Sequence, residues 1–426
     1  MTSDKKTRDA VGLDMNGDKQ ANNLSLVTRH LSLMIVAGEA SGDKHGAALV
    51  VALQKLYPDT RFEIFGSGGD EMRSAGVETL VDARTTAVIG IPEIARALGR
   101  LYRAYRTLIE AARARRPEAV VLIDWPDFNM RLARRLRREG FKIVYFISPQ
   151  VWAWRRYRVR ALRRDVERML VILPFEEEFY KEAGIDVEYV GHPLAEAVAV
   201  TSTRDEFIRR HSLDESRPII ALLPGSRHKE IHYHLPAMLD AARILRNEAQ
   251  AGSATPQFVV PLASTVDREQ VKAIMSRAGR EASSGVTLIE RGTYDALGHA
   301  EIAVVASGTA TVEAALIGTP MVIIYRASEL NWRLIRPLIR LDTFGMVNLI
   351  AAKRVVPELI QHDVTGEKIA REVVQILSDP VRLARMREDL KRVSEQLKAG
   401  GGPGASRAAR AVMKVASRVS NNANFN

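Results

Sequence analysis

Four short stretches place chemistry-bearing residues directly after an apolar run. In AVVLIDWPDFN, residues 119–129, Asp124 ends the run and Asp127 follows Pro126. A carboxylate at a strand end points into the cleft that the sheet opens on. An Asp near its ordinary pKa is ionised at neutral pH and accepts a proton from an attacking hydroxyl. Asp127 reads instead as the N-cap of a helix over 128–139, closed by Gly140. In VAGEASGDKHG, residues 36–46, Glu39 stands at a turn apex between Gly38 and Gly42, placed to touch substrate, and Asp43 reads as the cap of the next helix.

The other two stretches suit phosphate. ALLPGSRHKEI, residues 221–231, reads as strand, turn and helix start. Gly225 lets the backbone approach closely, Ser226 and the following amides can receive an anion, and Arg227 adds a fixed cation. An ordinary turn with a surface Arg would look the same. EIAVVASGTATVEAALIGTP, residues 301–320, sharpens the reading: a strand over 302–306 ends in Ser307, Gly308 and Thr309, and amides 308–311 form a second cradle. Glu313, one turn in, either holds two vicinal ribose hydroxyls or merely complements the helix dipole. Two cradles favour a nucleoside diphosphate. No G-x-x-x-x-G-K-[ST] occurs, and no strict G-x-G-x-x-G follows a strand, which disfavours NAD. No D-x-D pair is present to hold a metal–diphosphate, so the charge of a leaving diphosphate falls to Arg227 and helix amides. His228 and His232 are four apart but have no third ligand, and no metal site is expected.

The elements that position these residues follow from periodicity. Apolar runs at 31–38, 61–66, 119–124, 142–148, 168–174 and 187–191 alternate with helical patterns, and the rhythm restarts after 216. Continuous apolar strands between helices indicate an α/β protein with parallel sheets covered on both faces. The expectation is two Rossmann-like domains, 31–200 and 216–397, facing an inter-domain cleft. Residues 1–30 read as a flexible tail, and a last helix over 405–420 packs back on the first domain. In such sheets ligands bind beyond the carboxyl ends of the strands.

Composition bounds the partner. The 426 residues carry a net charge of +11, yet residues 96–168 alone hold 20 Arg and Lys against 7 Asp and Glu. The positive charge is therefore regional. An anionic surface is implied; nucleic acid is disfavoured, since no recognisable basic–aromatic module is present. No Cys occurs, which excludes thiol nucleophiles and suits a cytoplasmic enzyme. No apolar run approaches the roughly 20 residues that span a bilayer; the best stretch, 302–325, contains Glu313 and Pro320. Val88, Ile89, Ile91, Ile94, Leu98, Leu101 and Tyr102 interleave with Arg96, Arg100 and Arg103, a pattern that predicts an amphipathic contact for acyl chains and headgroups. Each Lys or Arg near an anionic leaflet contributes about 1 kcal/mol. Trp152, in SPQVWAW, either joins that surface or packs behind the SPQ loop.

Taken in order, AGEASGD, IDWPDFN, SPQVWAW, LPFEEEFY, VGHPL, LLPGSR, ASGTATVE and NLIA resemble the lipid-A-disaccharide synthase family, over about residues 32–415. The resemblance implies a GT-B fold and an inverting glycosyl transfer without metal or cofactor. The donor would be UDP-2,3-diacylglucosamine and the acceptor 2,3-diacylglucosamine 1-phosphate (lipid X), giving a β(1→6) disaccharide and UDP at the inner face of the inner membrane. It further implies Asp124 as the base for the acceptor 6-hydroxyl, and Glu39 and Glu93 (in VIGIPEIARAL) near the reacting sugars. Arg227, Ser307, Gly308, Thr309, Glu313 and Asn348 would belong to the UDP-sugar half. A homodimer is an open alternative. The first 30 residues, His228-Lys229 after PGSR, and Trp125 depart from the family pattern.

Overall fold

The computed structural model describes residues 29–83, 91–154, 156–248, 255–263, 266–336, 343–398 and 404–417. Thirteen described strands form two all-parallel sheets. The first contains β1 (Arg29–Val36), β2 (Thr60–Gly68), β3 (Glu78–Asp82), β4 (Ala119–Ile123), β5 (Ile143–Phe146), β6 (Arg168–Val171) and β7 (Val187–Tyr189), in the order β3-β2-β1-β4-β5-β6-β7. The second contains β8 (Ile219–Leu223), β9 (Gln257–Leu262), β10 (Val286–Glu290), β11 (Ile302–Ala306), β12 (Met321–Tyr325) and β13 (Glu358–Ile360), in the order β10-β9-β8-β11-β12-β13. Strand order reverses between β1 and β4 in one sheet and between β8 and β11 in the other. These are the topological switch points at which open α/β sheets bind ligands.

The strands form where apolar residues run unbroken. All five residues of β4, β8 and β11 are buried, as sheets covered on both faces require. Alternation then sorts side chains by face: Leu33 and Ile35 enter one core, while Met34 and Val36 enter the core on the opposite side.

The helices around the site are α1 (Ala40–Leu56), α2 (Asp70–Ser74), α3 (Ile91–Arg115), α4 (Pro126–Arg138), α5 (Pro174–Glu182), α6 (His228–Glu248), α7 (Thr293–His299), α8 (Thr309–Ile317) and α9 (Gly404–Ser417). Helix α9 carries Ala408, Ala411, Val412 and Val415 into the core beneath β1 and α1, so the chain returns to the first sheet over residues 404–417. The two crossings between halves lie side by side: the Tyr189 hydroxyl donates to the Gln396 and Leu397 carbonyls at 2.8 and 3.1 Å, and the His192 amide to the Leu397 carbonyl at 3.3 Å.

Two expected caps differ. Helix α1 begins at Ala40, with Glu39 in the N-cap position, so Asp43 lies inside the helix. Its buried carboxylate instead accepts the amides of Gly69, Glu71 and Met72 at 2.7–3.1 Å, closing the start of α2. Likewise α4 begins at Pro126, and Asp127, inside its first turn, accepts from Arg158 at 2.6 Å. In both cases a long-range donor outcompetes the local capping geometry.

Candidate active site

Two cavities meet at one helix terminus. A cleft of about 850 Å³ lies between the halves, lined by Asp124, Ser148, Glu176 and His192 from the first and by Ser307, Gly308, Thr309 and Phe344 from the second. A second cavity of about 630 Å³ lies beside the second sheet, lined by Gly225, Ser226, Arg227, Tyr294 and Glu313. Ser307, Gly308 and Thr309 line both. The N-terminus of α8 is therefore a common wall between the cleft of Asp124 and the cavity of Arg227.

Asp124 sits on a strained turn. Asp124 and Trp125 adopt consecutive left-handed conformations, with φ of 46° and 50°, which non-glycine residues hold only when surroundings enforce it. The Tyr145 hydroxyl and the Asn129 amide both donate to the Asp124 carbonyl, at 2.7 and 2.8 Å. The Trp125 indole stacks on Phe128 at 3.8 Å. A Cβ on Gly38 would lie 2.1 Å from that indole, so only glycine fits there. Burial first, and the nearby Glu39 charge second, push the Asp124 carboxyl up to about 6 against the opposing hydrogen bond from the Trp125 amide. It remains mostly ionised at neutral pH while being a stronger base than an exposed Asp.

The cleft contains groups that sequence reasoning passed over. Glu176, buried on α5, accepts from the Ser148 hydroxyl at 2.6 Å, the Trp152 indole at 3.0 Å and the Leu173 amide at 3.2 Å. Burial pushes its carboxyl up to about 7. Trp152 is only 5% exposed and packs edge-on against Phe175. It belongs to the core, which favours packing behind the SPQ loop over a place on the amphipathic surface. The imidazole of His192 accepts the Leu194 amide on Nδ1 at 3.2 Å, and burial lowers its pKa to about 4. The motifs LPFEEEFY and VGHPL were legible as a family resemblance, but nothing local marks which of three successive Glu turns inward.

In the second cavity Gly225 adopts φ +116°, a conformation open to glycine. The Ser226 and Arg227 amides that should receive an external anion donate instead to Glu230 Oε2, at 2.9 and 3.2 Å. The second cradle is narrower than expected, because the Thr311 amide turns to the Gly308 carbonyl. Glu313 reaches the cavity beside Tyr294, whose hydroxyl donates to it at 3.4 Å, and burial raises its pKa. Asn348, expected among the UDP-sugar contacts, is instead a structural brace. It is 1% exposed, its amide nitrogen donates to the Val356 carbonyl and Glu358, and its oxygen accepts the Val355 and Val356 amides. It braces a turn, with no hydrogen-bonding capacity left for a nucleotide.

A third cavity, about 670 Å³, runs between α3 and α4. Leu101, Tyr105, Trp125 and Phe128 form its apolar lining, and Arg131, Arg134 and Arg138 stand along it. Leu98 and Tyr102 beside them are 58% and 62% exposed. Arg100 and Arg103 are exposed on α3, and Arg103 donates to the Gly99 carbonyl at 3.4 Å. Ile91, Glu93 and Arg96 fall in the first two turns of α3, and Ile89 lies outside the described residues. Among the described residues, no helix is long and apolar enough to cross a membrane, and no three His, Asp or Glu side chains form a group suited to a metal ion.

Residues 33–413 match the family model described as lipid-A-disaccharide synthetase. The lipid-A-disaccharide synthase of Koribacter versatilis (strain Ellin345) is 44% identical over 390 residues, covering 91% of this chain and 99% of its own. That of Syntrophus aciditrophicus (strain SB) is 46% identical over 383 residues, covering 90% and 97%. Among solved structures, an S. aureus MnaA–UDP co-structure superposes with a TM-score of 0.59 at 11% identity, over 90% of this chain and 96% of the other. The calicheamicin glycosyltransferase CalG4 does so with a TM-score of 0.55 at 15% identity, over 92% and 99%. At such identities the structural likenesses show the fold alone, the two-sheet GT-B arrangement.

Proposed function

The chain belongs to the lipid-A-disaccharide synthase family and is a glycosyltransferase of lipid A biosynthesis, and from that premise we propose its substrates and the roles of its residues. The donor is UDP-2,3-diacylglucosamine and the acceptor 2,3-diacylglucosamine 1-phosphate. The observation that supports this reading best is the shared wall: the α8 terminus lines both the cavity of Arg227 and Glu313 and the cleft of Asp124. A diphosphate seated there presents its sugar to the carboxylate.

In this reading Asp124 accepts the proton of the acceptor 6-hydroxyl. The oxygen attacks the anomeric carbon from the face opposite the diphosphate, the bond to phosphate breaks, and UDP leaves with the electron pair. One displacement inverts the configuration and gives the β(1→6) disaccharide 1-phosphate. The α8 amides and the Arg227 guanidinium meet the charge of the departing diphosphate, a role that divalent metal plays elsewhere. Glu39 raises the basicity of Asp124, and Glu93 stands with it near the reacting sugars. Glu313 holds the ribose hydroxyls. The groove between α3 and α4 takes acyl chains against Trp125 and Phe128, with its arginines and Arg96, Arg100 and Arg103 on lipid phosphate. The enzyme thereby works in the cytoplasm as a peripheral protein on the anionic inner face of the inner membrane.

Incubation with both lipids should yield the disaccharide 1-phosphate and UDP by mass spectrometry, with the rate unchanged in EDTA. Absence of that product sinks the substrate assignment; turnover lost in EDTA and restored by Mg²⁺ sinks the metal-free step. Arg227→Ala and Glu313→Ala should each weaken UDP binding, by on the order of tenfold, because each removes a charged hydrogen-bond partner. Unchanged affinity in both variants, measured by calorimetry, removes the nucleotide from this cavity.

A further inference from the structure

The turn after β8 already holds an anion, and it is the chain's own. The Ser226 and Arg227 amides converge on Glu230 Oε2, and Arg227 Nη1 reaches Glu230 Oε1 at 3.1 Å. The carboxylate is pressed onto the turn: a Cβ on Gly225 would lie 2.5 Å from Glu230 Oε2. Glu230 lines the same cavity as Ser307, Gly308, Thr309 and Glu313. Two amides and a guanidinium around one oxyanion form the donor set that proteins offer to phosphate. From this we infer that Glu230 is a built-in competitor for the donor diphosphate, which it must release Arg227 to admit and which it helps to expel after transfer. The inference rests on the reading that this cavity takes the UDP-sugar.

A plainer role exists. A Glu at the third helical position commonly closes the first turn of a helix by accepting its leading amides, and Glu230 stands at the third residue of α6. The two roles differ in sign. A cap that merely shapes the turn makes nucleotide binding better, so its loss leaves affinity equal or lower. A competitor makes binding worse, because its charge repels the diphosphate and keeps Arg227 engaged. Arg227 is 83% exposed, so nothing packed around it prevents the guanidinium from changing partners. A diphosphate carries more charge than one carboxylate and prevails in the exchange, whereas a nucleoside without phosphate has nothing to exchange.

Titration of the full-length protein with UDP and with uridine tests this, using wild type, Glu230→Gln and Glu230→Ala, with thermal unfolding of each as a check on the fold. Glu230→Gln keeps the side-chain size and removes the charge. It should bind UDP more tightly, on the order of tenfold, with slower dissociation and unchanged uridine affinity. In an Arg227→Ala background the gain should shrink. Equal or weaker UDP binding by Glu230→Gln overturns the inference while leaving the donor site standing, since wild type still binds UDP. If Glu230→Gln unfolds early, Glu230→Ala is judged by the same criterion. An equal gain for uridine, or an undiminished gain without Arg227, also overturns it. Wild type that fails to bind UDP overturns the donor-site reading and this inference together.

Discussion

Replacing Asp124 with Asn is expected to lower kcat by about three orders of magnitude, the usual scale for loss of a positioned base, while UDP affinity stays within about twofold. The separation follows from geometry: Asp124 lines the cleft and not the cavity of Arg227 and Glu313. Asn preserves the turn, because Tyr145 and Asn129 hold the Asp124 carbonyl rather than its carboxylate. The wild-type kcat/KM should rise with pH to a limb near 6, set by burial of the carboxyl and then by Glu39. Below that limb the base is protonated and the rate falls about tenfold per pH unit. Glu39→Gln should move the limb to lower pH, since one like charge is removed. Activity within a few-fold of wild type in Asp124→Asn would take the base role away from Asp124.

The second large effect is on stability. Glu176→Ala leaves the Ser148 hydroxyl, the Trp152 indole and the Leu173 amide without the acceptor they share. At about 1 kcal/mol for each unpaired buried donor the loss is about 3 kcal/mol, read as a lower midpoint in urea. The pH dependence has a definite sign. The folded carboxyl is raised from 4.5 to about 7, so the proton it holds favours the folded state. That contribution is complete below about pH 4.5 and is lost as pH rises through about 7. The gap between wild type and Glu176→Ala should therefore narrow from pH 5 to pH 8. A gap that widens over this range would mean that Glu176 is ionised in the fold and held by its donors. Because Ser148 and Glu176 also line the cleft, residual folded Glu176→Ala should lose turnover as well.

Much of the site was legible because its signals are local. An unbroken apolar run makes a doubly covered strand, and the next residues must lie at its carboxyl end. That places Asp124, the turn at Gly225 and the start of α8 beside the switch points without any knowledge of distant contacts. Where structure and expectation differ, the cause is the opposite one. Asn348, which the family resemblance assigns to the UDP-sugar half, has its side-chain amide taken up by residues 355, 356 and 358. Trp152 is drawn inward by Glu176 on a different helix, which accepts its indole N–H. Asp43 and Asp127 had good capping positions but took partners 26 and 31 residues away.

The sequence by itself determined the fold class, the two sheets, the residues at their switch points and the concentration of positive charge in residues 96–168, because periodicity and composition act over short spans. Only the tertiary structure decided which of those polar groups remain available: that the amides at Ser226 and Arg227 are held by Glu230, that Glu176 is buried, and that Trp125, next to Asp124 in the chain, lines an arginine-flanked groove. The reason is physical. A hydrogen-bonding group is spent on whichever partner the packed chain brings within about 3 Å, and that partner is set by how whole elements stack, not by the residues next to it in sequence.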